Sequence, residues 1–253
     1  MRRRVTLIII ILFIVSVRLF SQGNVHDSTI FTTLIHATYS YQIPGGDLAS
    51  QFGSNSTIGG GLIFKTKTNW LFGAEGNYMF GQNVKNNDLL LNGISTKDGF
   101  VIDANGYYAD IVFYERGFNF FAKFGKLISL LAPNPNSGFS LVAGVGYIQD
   151  KIRITTTGNT VPQLIGDYKK GYDRLNGGIA LTGSLGYLFL SNTRLLNFSL
   201  GFEFMQAWTN PYRSRDFDTG KQDTRKLNSQ FYSIKACWII PLYRRVPKEF
   251  YLY

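Results

Sequence analysis

Apolar and polar side chains alternate almost without interruption between Leu196 and Trp208, and this alternation restricts the fold more than any other feature of the sequence. One set of positions is apolar and mostly aromatic: Leu196, Phe198, Leu200, Phe202, Phe204 and Trp208. The positions between them include Asn197, Ser199, Gly201 and Glu203. Because successive side chains of a β-strand point to opposite faces, this segment is predicted to be a strand with one aromatic and one polar face. An aromatic face is rarely left in water and a carboxylate is rarely left in a dry core, so the direction of these faces decides the class of fold.

Seven further segments repeat this pattern, each with about the ten residues that a tilted strand needs to cross a bilayer. They are residues 34–43, 57–67, 70–81, 106–114, 138–148, 178–189 and 231–242. The connections at one end are short, at residues 68–69 and 191–194, whereas those at the other end are long. The long connections are residues 44–56, 82–105, 149–177 and 209–230. Short turns at one rim and long loops at the other are typical of outer-membrane barrels. We therefore predict an all-β protein, an antiparallel up-and-down eight-stranded transmembrane β-barrel.

One connection does not follow the rule, because residues 115–137 lie on the side of the short turns and yet form a long segment. Within it, residues 118–131 are apolar except for a few positions such as Lys123 and Lys126. This stretch is compatible with a short helix on the periplasmic side, lying in the membrane interface or plugging the barrel mouth. It is equally compatible with an extension of the fourth strand, because Phe118, Phe120, Ala122 and Phe124 also alternate.

Polar residues on the inward faces are predicted to form a network that fills the barrel. The predicted members are His36, Lys65, Glu75, Asp110, Glu203 and Lys235. An isolated charge in a dry interior is costly, so we expect pairing, with Glu203 near Lys235 and Lys65 near Glu75. Eight strands leave a bore that side chains just fill, and an open pore is therefore not expected.

The alternative is a soluble, lipocalin-like barrel with the aromatic residues inside. That arrangement would place Glu203, Lys235 and Asp110 in water, where charges are stable. It would also require strands well beyond the usual five to six residues, and the alternation of short turns and long loops favours the membrane barrel. Tryptophan and tyrosine near the predicted strand ends, which include Trp70, Tyr78 and Tyr147, are expected to form girdles at the level of the lipid headgroups.

The N-terminus predicts export. Residues 1–21 form a signal peptide with a basic start at Arg2, Arg3 and Arg4 and an apolar run over residues 5–17 that is short for a membrane span; a retained anchor is the alternative. The mature chain, residues 22–253, is then one domain, and its net charge falls from +10 to +6 when four arginines leave with the signal. Its basic residues are scattered, so no nucleic-acid partner is expected. Cys237 is the only cysteine, which excludes an intrachain disulfide.

The chain resembles a family of uncharacterised outer-membrane proteins of the Bacteroidota, with the OmpA/OmpX type of architecture. The stretches that carry the resemblance are residues 115–118, 134–138, 161–164, 166–174 and 238–247. The aromatic ending at residues 250–253 is similar to the C-terminal signal that outer-membrane assembly machinery recognises. The resemblance implies insertion into outer-membrane lipid by that machinery. It implies no known activity, so no catalytic residue is transferred.

The sequence offers little chemistry. His36 is expected to be a hydrogen-bonded lumen residue, although a lipid-modifying site of His36 and a serine is an alternative. No metal site or cofactor is expected, because the acidic residues Asp216, Asp218 and Asp223 lie among arginines and lysines of the same loop. We therefore predict that the protein is not an enzyme.

The loop at residues 166–174 is the best candidate for contact with a partner protein. Its proposed contact residues are Tyr168, Lys169, Lys170, Tyr172 and Arg174. Tyrosine and arginine on a fixed rim are good contact residues, although the loop could also fold back on the barrel. The predicted function is a non-enzymatic barrel that docks a partner of an assembly, secretion or adhesion system through its loops or its periplasmic segment. The alternatives are a lipid-modifying or lipid-binding barrel and a small-solute channel.

Overall fold

Eight antiparallel strands form one closed ring in the computed structural model, which describes residues 28–191 and 196–243. The predicted signal peptide and the aromatic C-terminal ending at residues 250–253 lie outside the described residues. The strands are β1 (Thr32–Gly46), β2 (Asn55–Lys65), β3 (Trp70–Gly81), β4 (Ile111–Ile128), β5 (Gly138–Thr156), β6 (Asn176–Leu190), β7 (Asn197–Pro211) and β8 (Leu227–Tyr243).

Pairing of β1 with β8 closes the ring, from Thr32 opposite Tyr243 to Gly46 opposite Ser229. Every other strand pairs with its neighbours in sequence, so the topology is the predicted up-and-down barrel. Helical structure among the described residues consists of single turns in the loops: Asp47–Ser50, Asn87–Leu90, Thr157–Asn159, Pro162–Leu164 and Tyr168–Gly171. In this part of the chain no helix has the length and apolar character required to cross a bilayer.

The aromatic faces of the strands point outward. On β7, Phe202 is 69% exposed whereas its neighbour Glu203, which points into the barrel, is 5% exposed. The same division holds around the ring and leaves a belt of large apolar side chains on the outer wall. A belt of this kind matches hydrocarbon and not water, so the barrel is of the transmembrane type. The soluble alternative, with its aromatic residues inside, is wrong.

Residues 118–128, which the sequence allows to be a helix or a strand, form part of strand β4. β4 runs without a break from Ile111 to Ile128 and pairs with β5 over its whole length. The periplasmic-side helix is therefore wrong, and the connection between β4 and β5 shortens to residues 129–137. Extended structure prevails because the backbone groups of residues 118–126 pair with strands on both sides.

The faces of the predicted fourth strand, residues 106–114, were assigned the wrong way round. Because Asp110 is predicted to point inward, the alternation places Phe113 on the outward face, but Phe113 is buried inside the barrel. Near the long loops the inward face packs against the apolar loop core, as Ile152 and Ile154 on β5 do. The outward face carries exposed Lys151 and Arg153. The apolar face therefore changes from outside to inside where the barrel leaves the membrane.

The outer wall of β4 defines the height of the apolar belt. Arg116 and Lys126 point outward at its two edges, and between them only Phe118, Phe120, Ala122 and Phe124 face outward. Ten residues at about 3.3 Å each, tilted by about 40°, span roughly 25 Å along the membrane normal. This distance equals the usual height of the apolar band of a transmembrane barrel.

Phe202→Lys is expected to destabilise the folded barrel by about 2–4 kcal/mol, because a lysine then faces lipid near mid-membrane. Urea-dependent folding into phosphatidylcholine vesicles measures this change. Tyr168→Lys, in an exposed loop, is the control and should leave the free energy of unfolding unchanged. Equal stability of the Phe202→Lys variant and the wild type would contradict the lipid-facing orientation of β7.

Candidate functional site

Four buried charges form a layer across the middle of the bore. Lys123 Nζ lies 2.5 Å from Glu203 Oε2, and Lys235 Nζ lies 3.2 Å from the same oxygen. Lys235 also donates to Glu75 Oε1, which lies 4.0 Å from Lys123 Nζ. The side chains come from β3, β4, β7 and β8, so the layer joins both halves of the barrel. Two lysines and two glutamates neutralise one another, which makes their burial tolerable.

Further polar side chains complete the layer by hydrogen bonding. His36 Nε2 lies 3.3 Å from Glu75 Oε2. Asn77 donates to Glu75 Oε1 at 2.9 Å and to Asn119 Oδ1 at the same distance. Thr38 Oγ1 donates to Asn77 Oδ1 at 2.7 Å. With the four charges, the layer is thus held in one arrangement by groups from five strands, β1, β3, β4, β7 and β8.

Apolar side chains occupy the bore on both sides of the charged layer, so the polar network does not fill the barrel as predicted. Toward the loops lie Met79, Phe121, Ile148, Met205 and Phe231. Toward the turns lie Leu34, Leu71, Leu127, Leu188, Leu190 and Ile239. A cavity of about 90 Å³ remains between the charged layer and this second group, beside small residues such as Gly186 and Gly201.

The turn between β4 and β5 folds into the mouth of the barrel at the short-turn end. Asn134 Nδ2 donates to the carbonyl of Leu190 at 2.7 Å, and Ser137 Oγ donates to the same carbonyl at 3.2 Å. Asn136 Oδ1 accepts hydrogen bonds from Lys65 Nζ at 2.8 Å and from the backbone of Ile30 at 3.0 Å. These contacts close the mouth with loop backbone and amide side chains.

Two of the six predicted lumen residues lie elsewhere. Lys65 is buried at the closed mouth and does not pair with Glu75, because its position on β2 is near the turn. Asp110 is outside the barrel and accepts a hydrogen bond from Thr157 Oγ1 at 2.9 Å in the loops. It lies there because β4 begins only at Ile111. His36, Glu75, Glu203 and Lys235 are brought together in the charged layer.

Lys123 was missing from the predicted network, although it contacts two of its members. The sequence of its segment is compatible with both a helix and a strand, and only a strand places Lys123 inside the barrel. The available signal was the alternation of Phe118, Phe120, Ala122 and Phe124, which puts the intervening lysine on the inward face.

The long loops fold into a packed cover over the opposite mouth. Its apolar core contains Leu48, Phe52, Val84, Leu90, Leu91, Val101, Val161, Leu164 and Tyr172. Arg213 binds Asp173 through two nitrogens, with Nε at 2.7 Å, and this hydrogen bonding raises the pKa of Arg213. Arg174 pairs with Asp218 and so links two loops. The loop surface is therefore preorganised.

Three of the five predicted contact residues in the loop at residues 166–174 are exposed on the surface. Tyr168 is 68% exposed, and Lys169 and Lys170 are exposed beside it. Tyr172 is buried edge-on against Phe217, with ring centroids 5.4 Å apart, and burial raises the pKa of its hydroxyl. Arg174 is engaged with Asp218. Tyr172 and Arg174 therefore hold the loop in place, and Tyr168, Lys169 and Lys170 are the predicted contact residues that the fold leaves exposed.

A second exposed group lies at the tip of the loop between β3 and β4, and the sequence did not indicate it. Isolated β-bridges pair Ser95 with Val101 and Ile102 with Tyr108. Tyr107 is 73% exposed, and the rings of Phe100 and Tyr108 lie 4.7 Å apart on the surface. The sequence pattern places Tyr107 and Tyr108 in a membrane strand, whereas the structure places them in an exposed loop. We call Phe100, Ile102, Tyr107 and Tyr108 the aromatic tip.

Neither a metal site nor a histidine hydrogen-bonded to a serine is found in the part of the chain that the structure describes. There, no group of three or more His, Cys, Asp or Glu side chains is arranged to hold a metal ion. Within the same residues, no hydrogen bond joins His36 to a serine hydroxyl, and the partner of His36 is Glu75. His36 is also enclosed between the two apolar groups of the bore.

Comparisons with known proteins return structural likeness only. No protein-family model matches the chain, and a search of curated proteins finds no match. Neisserial surface protein A is 10% identical with a TM-score of 0.40, and the alignment covers 82% of this chain and 96% of that protein. Ail, the attachment invasion locus protein of Yersinia pestis, is 10% identical with a TM-score of 0.40, and the alignment covers 83% of this chain and 99% of Ail. The barrel fold itself rests on the strand pairing.

Removing one charge from the layer is expected to lower the free energy of unfolding more than removing an oppositely charged pair. Glu203→Gln and Lys123→Met should each cost about 3–5 kcal/mol, because each leaves an uncompensated buried charge. The double variant retains the neutral Glu75–Lys235 pair and should cost less than either single change. Urea unfolding of the three variants in vesicles measures this. Additive losses would contradict direct coupling of the two side chains.

The filled bore predicts that the wild-type barrel conducts no ions. Purified protein added to planar bilayers should give no stepwise current, since the charged layer, two apolar groups and the folded turn all block the path. Insertion is verified by the slower gel migration of the heat-unfolded barrel. Reproducible conductance steps from correctly inserted protein would show that the bore opens and would favour a solute channel.

Proposed function

We propose that this protein is an integral outer-membrane barrel that docks a partner protein through its extracellular loop surface and performs no catalysis. One observation carries the proposal: the bore is closed while the loops above it form a fixed surface with exposed aromatic side chains. A protein that neither transports nor catalyses through its bore acts through its outer surfaces. The long loops lie at the extracellular rim in barrels of this architecture.

The aromatic tip has the properties of a contact surface. Tyr107, Tyr108 and Phe100 expose rigid rings, and aromatic side chains dominate the binding energy of many interfaces. The packed core under the loops means that little conformational entropy is lost when a partner binds. Tyr168 adds a further exposed ring in the loop between β5 and β6.

The segment at the short-turn end is a weaker candidate for docking. The turn at residues 129–137 already uses Asn134 and Asn136 inside the barrel mouth. Its exposed apolar residues, Leu130 and Leu131, lie in the same turn, beyond the end of β4. We therefore assign docking to the loops, and we propose a partner from an assembly, secretion or adhesion system. Export by the signal peptide and insertion by the assembly machinery are parts of the same proposal.

Tyr107→Ser combined with Tyr108→Ser is expected to abolish docking without unfolding the barrel, because both side chains are exposed. The tagged protein is cross-linked in native outer membranes and purified, and the amount of cross-linked partner is compared with the wild type. Leu131→Ser is the matched control, since Leu131 is 84% exposed at the opposite end.

The cross-linked partner should fall to background in the tyrosine variant and persist in the Leu131→Ser control. An equal yield of the same partner from the tyrosine variant would overturn docking through the aromatic tip. Loss of the partner only in the Leu131→Ser variant would move the docking surface to the short-turn end.

A further inference from the structure

Four basic residues line a cleft of about 450 Å³ on the outer wall of the barrel. Arg116 lies on β4, Lys151 and Arg153 lie on β5, and Lys169 comes from the loop between β5 and β6. We call Arg116, Lys151, Arg153 and Lys169 the basic cleft. Tyr78 and Phe118 line it as well, on the side of the membrane belt.

The strand register places like charges next to one another. Arg116 lies directly opposite Lys151, and Arg153 follows two residues further along β5 on the same face. Like charges directly opposite each other on a sheet repel and destabilise the pairing. Arg116 donates to the carbonyl oxygens of Gly81 at 3.2 Å and Glu115 at 2.7 Å, and its guanidinium carbon lies 4.7 Å from the centroid of the Tyr114 ring. These contacts position the guanidinium, but none of them is with an anion.

Nearby carboxylates do not neutralise the basic cleft. Asp173 lines the cleft but is bound by Arg213. Asp150 also lines it, but this carboxylate is buried and is hydrogen-bonded by Asn176. Among the described residues, no carboxylate oxygen lies within 4.0 Å of a nitrogen of the four basic side chains. The positive charge is therefore available to an external anion.

The cleft lies at the edge of the apolar belt. Arg116 and Lys151 are two residues beyond Phe118 and Gln149 on the outward faces, about 6–7 Å along the strands. The aromatic rings of Phe118 and Tyr147 lie 6.2 Å apart directly below. Aromatic rings of this kind mark the headgroup level, so the basic side chains lie where lipid phosphates lie.

We propose that the basic cleft binds the phosphate groups of a phosphorylated glycolipid in the outer leaflet. Arginine pairs bidentately with phosphate, and Lys151 and Lys169 add charge without a fixed geometry. The acyl chains of the same lipid lie along Phe118 and Phe120, which are exposed on the wall below. A free phosphate ion satisfies only the charges, whereas the glycolipid also covers this apolar wall. The inference rests on the proposed outer-membrane location.

The test uses diphosphorylated lipid A and its dephosphorylated form, which carries the same acyl chains. Native mass spectrometry of the purified full-length barrel in detergent counts the lipid molecules retained. The wild type should retain the diphosphorylated form. The variant Arg116→Gln/Lys151→Gln/Arg153→Gln should bind this lipid at least about tenfold more weakly than the wild type, since the loss of one charge-assisted hydrogen bond already has that effect. Lys126→Gln, at the opposite edge of the belt, is the matched control and should bind as the wild type does.

Four outcomes decide the proposal. Tenfold weaker binding of the triple variant, together with poor binding of the dephosphorylated lipid to the wild type, supports it. Equal binding of both lipids to the wild type overturns it, as does binding of inorganic phosphate alone with the affinity of lipid A. The variant Lys151→Gln/Arg153→Gln removes the repulsion but keeps the hydrogen bonds of Arg116, so its urea midpoint should equal or exceed that of the wild type. A lower midpoint would overturn the electrostatic argument. Because the assay needs no partner protein, its failure is distinguishable from failure of loop docking.

Discussion

Hydrogen bonding between β1 and β8 closes the ring of strands, and the rest of the structure depends on this closure. A bilayer offers no water to backbone N–H and C=O groups, so an open strand edge in it would leave costly unpaired groups. Closure satisfies these groups and also leaves each side chain only two directions, toward lipid or into the bore. The alternation along β7, with Phe202 outside and Glu203 inside, is the direct result.

A ring of eight strands also determines what the bore can contain. The space is so narrow that the charged layer of Glu75, Lys123, Glu203 and Lys235 must be neutral and fully paired. Apolar side chains pack above and below it, and a folded turn closes one mouth. The interior therefore supports the barrel, and the surfaces left for recognition are the loop cover and the outer wall.

The contrast between lipid and water outside the barrel also explains which predictions from the sequence are wrong. A strand that continues beyond the membrane exchanges its apolar and polar faces, because its outside meets water and its inside meets the loop core. If residues 106–114 are given the polarity of a membrane strand, the alternation predicts Phe113 outside and Asp110 in the lumen, and both predictions are wrong. Tyr107 and Tyr108, assigned to the same strand, belong to an exposed loop tip. Lys123 was missed because a short apolar run fits two periodicities.

The sequence by itself determined the class of fold, the number of strands and the outward direction of the aromatic faces, because period-two alternation and the rim pattern are local properties of the chain. It also placed Glu203 near Lys235, since they lie on adjacent strands at similar heights. Only the tertiary structure decided which four charges meet, how the turn at residues 129–137 closes the mouth and which loop aromatics stay exposed. Those features depend on strand register and loop packing between residues distant in sequence, and a pattern along one strand carries no information about them.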